Sequence, residues 1–159
     1  MKPPRVGHPV RDSREEISRL GQPPDFIDKF SWADRWYEMS TDPSRHVYLH
    51  ELDGTICGFV GFRFRKGKTS FIDEVGVDEK FKGRGLGGHL MRWAEHCARH
   101  RNCGRVELLS VDDEVEWYKY LGYSLVSTKP LRISGHEFHL MDKKLLYNLA
   151  DDETLDMGG

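Results

Sequence analysis

Three things are scarce in this chain. Cysteine is the first: Cys57, Cys97 and Cys103 are the only three among 159 residues. So small and odd a number builds no disulfide framework and fits a reducing, cytoplasmic compartment. Charge of one sign is the second, since 24 basic and 26 acidic side chains leave a formal net charge of −2. Domains that bind nucleic acid usually carry a basic excess, so that class is disfavoured. Long apolar runs are the third. None approaches the roughly 20 residues of a membrane-spanning helix, so no membrane partner is expected. The opening Met1-Lys2-Pro3-Pro4-Arg5 is not followed by the apolar stretch of a secretory leader.

What is present fits one ordinary domain, with 38% hydrophobic and 31% charged residues and length enough to bury a core. Residues 1–147 read as a single domain and residues 148–159 as an acidic, flexible tail. Val6 to Val10 suits a short strand. Ser13-Arg14-Glu15-Glu16 fits a capping box opening a helix that ends near Leu20-Gly21. Asp25 can cap a second helix, in which Phe26, Phe30, Ala33, Trp36 and Tyr37 recur at helical spacing.

From His46 the period shortens to that of strands. His46 to Leu52 and Thr55 to Arg65, joined by Asp53-Gly54, predict a hairpin, and Ser70 to Val77 a further strand. Leu86, Leu90, Trp93, Ala94 and Cys97 form one apolar stripe of a helix over residues 85–102. A strand at Arg105 to Val111, a helix at Asp113 to Leu121, and strands at Tyr123 to Val126 and Phe138 to Lys144 complete the order. That succession predicts an α/β (α+β) fold with a single mixed, mostly antiparallel sheet flanked by helices.

The chemistry gathers at Lys82-Gly83-Arg84-Gly85-Leu86-Gly87-Gly88. Glycines let backbone approach an anion closely, and the first amides of a helix have no internal partners. Two cations stand beside them, so the loop reads as a seat for a pyrophosphate. Gly83-x-Gly85-x-x-Gly88 is formally a dinucleotide fingerprint, but that motif needs its strand to end at the first glycine. Here Asp78 to Lys82 intervene, and the preceding strands read as antiparallel. No Gly-Lys-Ser/Thr follows, which excludes a P-loop kinase or GTPase.

Val75-Gly76-Val77-x-x-x-Phe81-Lys82-Gly83-Arg84-Gly85-Leu86-Gly87-x-x-Leu90 resembles the cofactor motif of the GNAT superfamily of N-acetyltransferases. Trp117-Tyr118-x-x-Leu121-Gly122-Tyr123 resembles that family's second motif, with one helix and one strand between the two. Two positions depart from the pattern. Lys82 replaces the usual Arg or Gln, keeping charge without a planar fork. Val111 stands where the family often has Asn.

The resemblance implies direct transfer of an acetyl group from acetyl-CoA to a primary amine of a small molecule, polyamine, protein lysine or N-terminus. Val75, Gly76 and Val77 would line the pantetheine arm where two strands splay, with Gly76 suited to a bulge. Lys82, Gly83, Arg84, Gly85, Leu86, Gly87 and Gly88 would hold the pyrophosphate. Tyr118 would protonate the leaving thiolate. The base would be Glu74, ranked ahead of Asp73; strand alternation predicts Asp73 on the side of Val75 and Val77, and Glu74 on the other. A non-catalytic acyl-CoA-binding domain is the alternative, and homodimerisation stays open. His96-x-x-x-His100 spaces two imidazoles one helical turn apart but lacks a third ligand, and reads as structural.

Overall fold

Residues 44–52 and 55–145 are described by the structure, a computed structural model. The strand at 6–10, the two N-terminal helices, the Asp53-Gly54 turn and the tail beyond residue 147 lie outside the described residues.

Runs of β-branched and aromatic residues build three antiparallel strands in succession: β1 (Arg45–Leu52), β2 (Thr55–Arg65) and β3 (Thr69–Val77). Gly67 and Lys68, both at positive φ (79° and 57°), close the turn between β2 and β3. The crossover helix α1 (Leu86–His100) then returns the chain to β4 (Arg105–Ser110), parallel to β3. A 3-10 turn at Asp112–Glu114 leads into the short helix α2 (Val115–Tyr120). Strands β5 (Ser124–Leu125) and β6 (Leu131–Ile133) both pair with β7 (His136–Lys144), which is antiparallel to β4. The order across the sheet is β1-β2-β3-β4-β7-β5, with β6 beside β7. This is the mixed, mostly antiparallel sheet that the order of elements predicts.

Two differences have local causes. The sequence reading missed β6, because its three residues are all exposed and show no alternation. Its signal was the Ser134-Gly135 pair, whose positive φ values (52° and 80°) make a tight hairpin turn into β7. The buried face of α1 is also turned from the expected stripe. Leu90, Met91, Ala94, Glu95 and Ala98 are buried, whereas Leu86, Trp93 and Cys97 are only half-buried. A charged side chain therefore sits on the core face.

Against α1 lie Val60, Phe62, Ile72, Val106, Leu108 and Met141, the core of this side of the sheet. Burying each such side chain contributes roughly 1.5–3 kcal/mol. Val47, Leu49, Cys57, Phe59 and Phe71 are buried outside that cluster.

The two central strands part company halfway. Parallel pairing of β3 with β4 runs from Thr69↔Arg105 to Ile72↔Leu108 and goes no further. Beyond Ile72, β3 continues to Val77 along β2, while Leu109 and Ser110 of β4 follow β7. A cleft opens between them, near the start of α1.

Candidate active site

The splay has a visible origin. Gly61 pairs with Glu74 and Phe62 with Ile72, so Asp73 is the extra residue of a β-bulge. Bulges bend a strand and increase its twist, which turns the end of β3 away from β4. The bulge is thus at Asp73 and not at Gly76, which pairs in regular register with Phe59. Gly76 is small for another reason: a Cβ there would lie 2.5 Å from Phe59 Cε1.

The bulge also resets alternation. Asp73 Oδ1 lies 3.4 Å from Arg63 Nε, with the Asp73 side chain 7% exposed. Arg63 faces away from α1, its guanidinium 5.1 Å from the centre of the Phe71 ring, while Val75 and Val77 pack on the α1 core. Asp73 therefore shares a face with Glu74 and not with Val75 and Val77. Simple alternation fails because a bulge places two successive residues on one side. Asp73 meets Arg63, and Glu74 is half-buried just beyond the point where β3 leaves β4.

Past β3 the chain is steered by its own hydrogen bonds. Asp78 N donates to Cys57 O (2.8 Å), and the Asp78 carboxylate accepts from Lys80 N (3.1 Å), starting a 3-10 turn at Glu79–Phe81. Gly83 and Gly85 then take left-handed φ values of 82° and 76°, where an added Cβ would meet nothing within 4 Å. Conformation, not crowding, requires glycine at these two positions. Gly85 caps α1 without a side-chain bond, and the first helical bond is His89 N to Gly85 O (3.1 Å). The amides of Leu86, Gly87 and Gly88 thus precede the helix's own ladder. Gly87 is closed over by Trp117, whose Cζ2 would be 2.9 Å from an added Cβ.

Charge reinforces this cradle. A helix start attracts an anion by roughly 0.3–1 kcal/mol at an exposed site. Arg84 is exposed, its guanidinium 5.3 Å from the centre of the Phe81 ring. Lys82 Nζ rests 2.9 Å from Glu79 Oε1 with both side chains more than half exposed. Exposed pairs of that kind are worth only about 0.2–1 kcal/mol, so a polyanion readily recruits this ammonium.

Tyr118 enters from α2. It is 5% exposed, packs its ring edge-on to Tyr123 (6.0 Å between centroids), and its hydroxyl makes no hydrogen bond among the described residues. Burial pushes the phenol well above its ordinary pKa, and the charges of Glu114 and Glu74 push it further. The phenol therefore stays protonated at any physiological pH, a donor and not a base.

Of two further polar groupings, the one at Glu95 has no counterpart in the sequence reading. Asp112 Oδ1 lies 2.9 Å from His139 Nε2, next to Val111, which is 42% exposed. Glu95, Tyr123 and Lys143 form a partly buried hydrogen-bonded set. The available hint was a lone glutamate among the apolar positions Met91, Ala94 and Ala98. His96 and His100 lie ring against ring (4.5 Å), and His96 also meets Trp93. No group of three potential metal ligands occurs among the described residues.

Comparison with known proteins bears on the fold and the family. An uncharacterised N-acetyltransferase of Methanocaldococcus jannaschii is 33% identical over 110 residues, 62% of this chain. The alignment spans about half (48%) of that relative's length. A proposed N-acetyltransferase from Lactobacillus plantarum superposes with a TM-score of 0.71 at 16% identity, covering 89% of this chain and 98% of that one. An Elizabethkingia anophelis GNAT-family acetyltransferase with acetyl-CoA bound gives 0.62 at 18% identity, covering 79% and 93%. At such identities these structures speak for the fold alone. The family model of GNAT acetyltransferases matches residues 11–123, a span holding the bulge, the glycine cradle and Tyr118, and the chain belongs to that family.

Proposed function

We propose that this protein transfers an acetyl group from acetyl-CoA to a primary amine. The observation carrying this reading is the juxtaposition of a glycine cradle at the start of α1 with a strand splay, Glu74 lying on the β3 side and Tyr118 on the helix that follows β4. The residues suit the co-substrate. Amides of Leu86, Gly87 and Gly88, with Arg84 and Lys82, match a diphosphate. The edge of Val75 to Val77, which pairs with no strand on the β4 side among the described residues, suits an amide-bearing arm laid along it as a strand neighbour would be.

In this reading the amine nitrogen bonds to the thioester carbonyl carbon as the carbon–sulfur bond breaks. Glu74, directly or through one water, takes the proton the amine must lose. Tyr118 supplies a proton to the departing sulfur. A raised phenol pKa at first argues against this, since a free thiol sits near about 8.5. Burial lifts thiols as it lifts phenols, since both lose solvation of the charged form. Acid and leaving group are thus brought towards a match by sharing one desolvated site.

Asp73, Glu74, Asp112 and Asp113 give the cleft a negative lining that favours a cationic acceptor, whether small amine, polyamine, protein lysine or N-terminus. A mass-spectrometric screen over amine metabolites and lysine peptides identifies it. Equal rates on cationic and neutral amines would remove the electrostatic argument. The exposed Val111, in place of a polar residue, favours a second reading, a non-catalytic acyl-CoA-binding domain. Tight acetyl-CoA binding without thiol release on any amine would decide for it. Three free thiols fit a cytoplasmic setting, and a homodimer is the form to test by light scattering.

A further inference from the structure

A partly buried set of side chains joins the cradle helix to the segment carrying Tyr118. Glu95 of α1, its side chain 4% exposed, accepts from Tyr123 Oη (2.9 Å) through one carboxylate oxygen and from Lys143 Nζ (2.9 Å) through the other. Lys143, on β7, also donates to Leu121 O (3.0 Å), and its ammonium lies 5.7 Å from the centre of the Tyr123 ring. Leu121 N and Tyr123 N both donate to Tyr118 O (3.0 Å each). Gly122 turns the chain at φ 100°, and an added Cβ there would meet Lys143 Cε at 3.2 Å.

The Leu121-Gly122-Tyr123 run thereby gains a physical reading. Leu121 offers a carbonyl, Gly122 clears a passage for Lys143, and Tyr123 reaches Glu95. A carboxylate buried on the core face of α1 is tolerated because a cation and a phenol satisfy it. Placing the end of α2 by packing alone would leave rotation about its axis soft, for only Val115 and Tyr118 of its residues are buried.

We propose that Glu95, Tyr123 and Lys143 are positioning residues that lock Tyr118 onto the cleft and couple its placement to the helix that holds the co-substrate's phosphates. The inference rests on the acid role given to Tyr118 above. None of the three touches the reacting atoms; they act through the backbone of residues 118–123.

Two measurements on the full chain test it. The first is thiol release from acetyl-CoA with mixed primary amines, for Tyr123→Phe and Tyr118→Phe alone and combined. Losing one hydrogen bond to a charged acceptor should lower kcat about tenfold in the wild-type background. The KM for acetyl-CoA should stay within about twofold, since ground-state binding is untouched. In the Tyr118→Phe background the same change should cost nothing more. The second is hydrogen exchange at the Leu121 and Tyr123 amides, which should quicken in Tyr123→Phe while the amides of α1 keep their protection. Should Tyr123→Phe fail to fold, Glu95→Gln with Lys143→Met removes both charges of the pair together and takes its place. Equal kcat losses in both backgrounds, or unaltered exchange, would overturn the clamp. A kcat indifferent to Tyr118→Phe beside quickened exchange would strike the acid role and leave the clamp standing.

Discussion

At the scale of single residues, the account depends on what burial does to a phenol. Tyr118 and Tyr123 are both raised by desolvation, Tyr123 also by the adjacent Glu95 carboxylate. Unfolding returns each to about 10, so above that pH the unfolded chain releases protons that the folded one retains. Stability contributed by both rings is complete below pH ~10 and declines as pH rises beyond it. Melting temperature followed from pH 9 to 11 should fall more steeply for wild type than for Tyr118→Phe; parallel curves would deny the shift. Tyr118→Phe should also lower kcat by about 10²-fold, the ordinary worth of a general acid, leaving acetyl-CoA affinity nearly unaltered in steady-state kinetics. Residue identity was the most legible level of this sequence. The glycine cluster stands out by type and spacing, whereas Tyr118 is singled out only through the resemblance of its motif to the family's. Asp73 was misplaced, because a bulge depends on how β2 and β3 pair, and pairing is invisible in a local alternation pattern. Glu95 was passed over for a similar reason: its partner Lys143 is 48 positions away.

At the scale of elements, the start of α1 joins stability to binding. Gly85 is glycine for its left-handed φ of 76°, so Gly85→Ala costs roughly 1–2 kcal/mol of local conformation. That cost falls on the cradle itself. Acetyl-CoA KM should rise at least about tenfold while the far-UV spectrum stays unaltered; an unaltered KM would remove the cradle from the binding account. Gly87 answers to space, since Trp117 covers it, and Gly87→Ala should shift the intrinsic tryptophan emission as the indole moves. Deeper along the helix, Leu90→Ala empties a fully buried site and should cost about 2–5 kcal/mol in denaturant unfolding. β1 to β4 were readable from their β-branched and aromatic runs and turn residues, although only β4 alternates cleanly. β6 was not, since a three-residue exposed strand has no buried face to announce it.

For the whole molecule, the two halves of the sheet meet only along Thr69–Ile72 and Arg105–Leu108, and the separation beyond them is what the fold offers to a ligand. No helix among the described residues is long and apolar enough to cross a membrane. The general architecture followed from the order of elements, whereas the acceptor did not, because selectivity resides in surface geometry that no spacing encodes. The central claim is that side-chain-free backbone at the head of α1 grips the diphosphate of a CoA thioester. Titration calorimetry of the purified chain with acetyl-CoA tests it most directly. The account predicts saturable one-to-one binding that weakens sharply in Gly85→Ala. Absence of any heat of association with acetyl-CoA or CoA in wild type would contradict it.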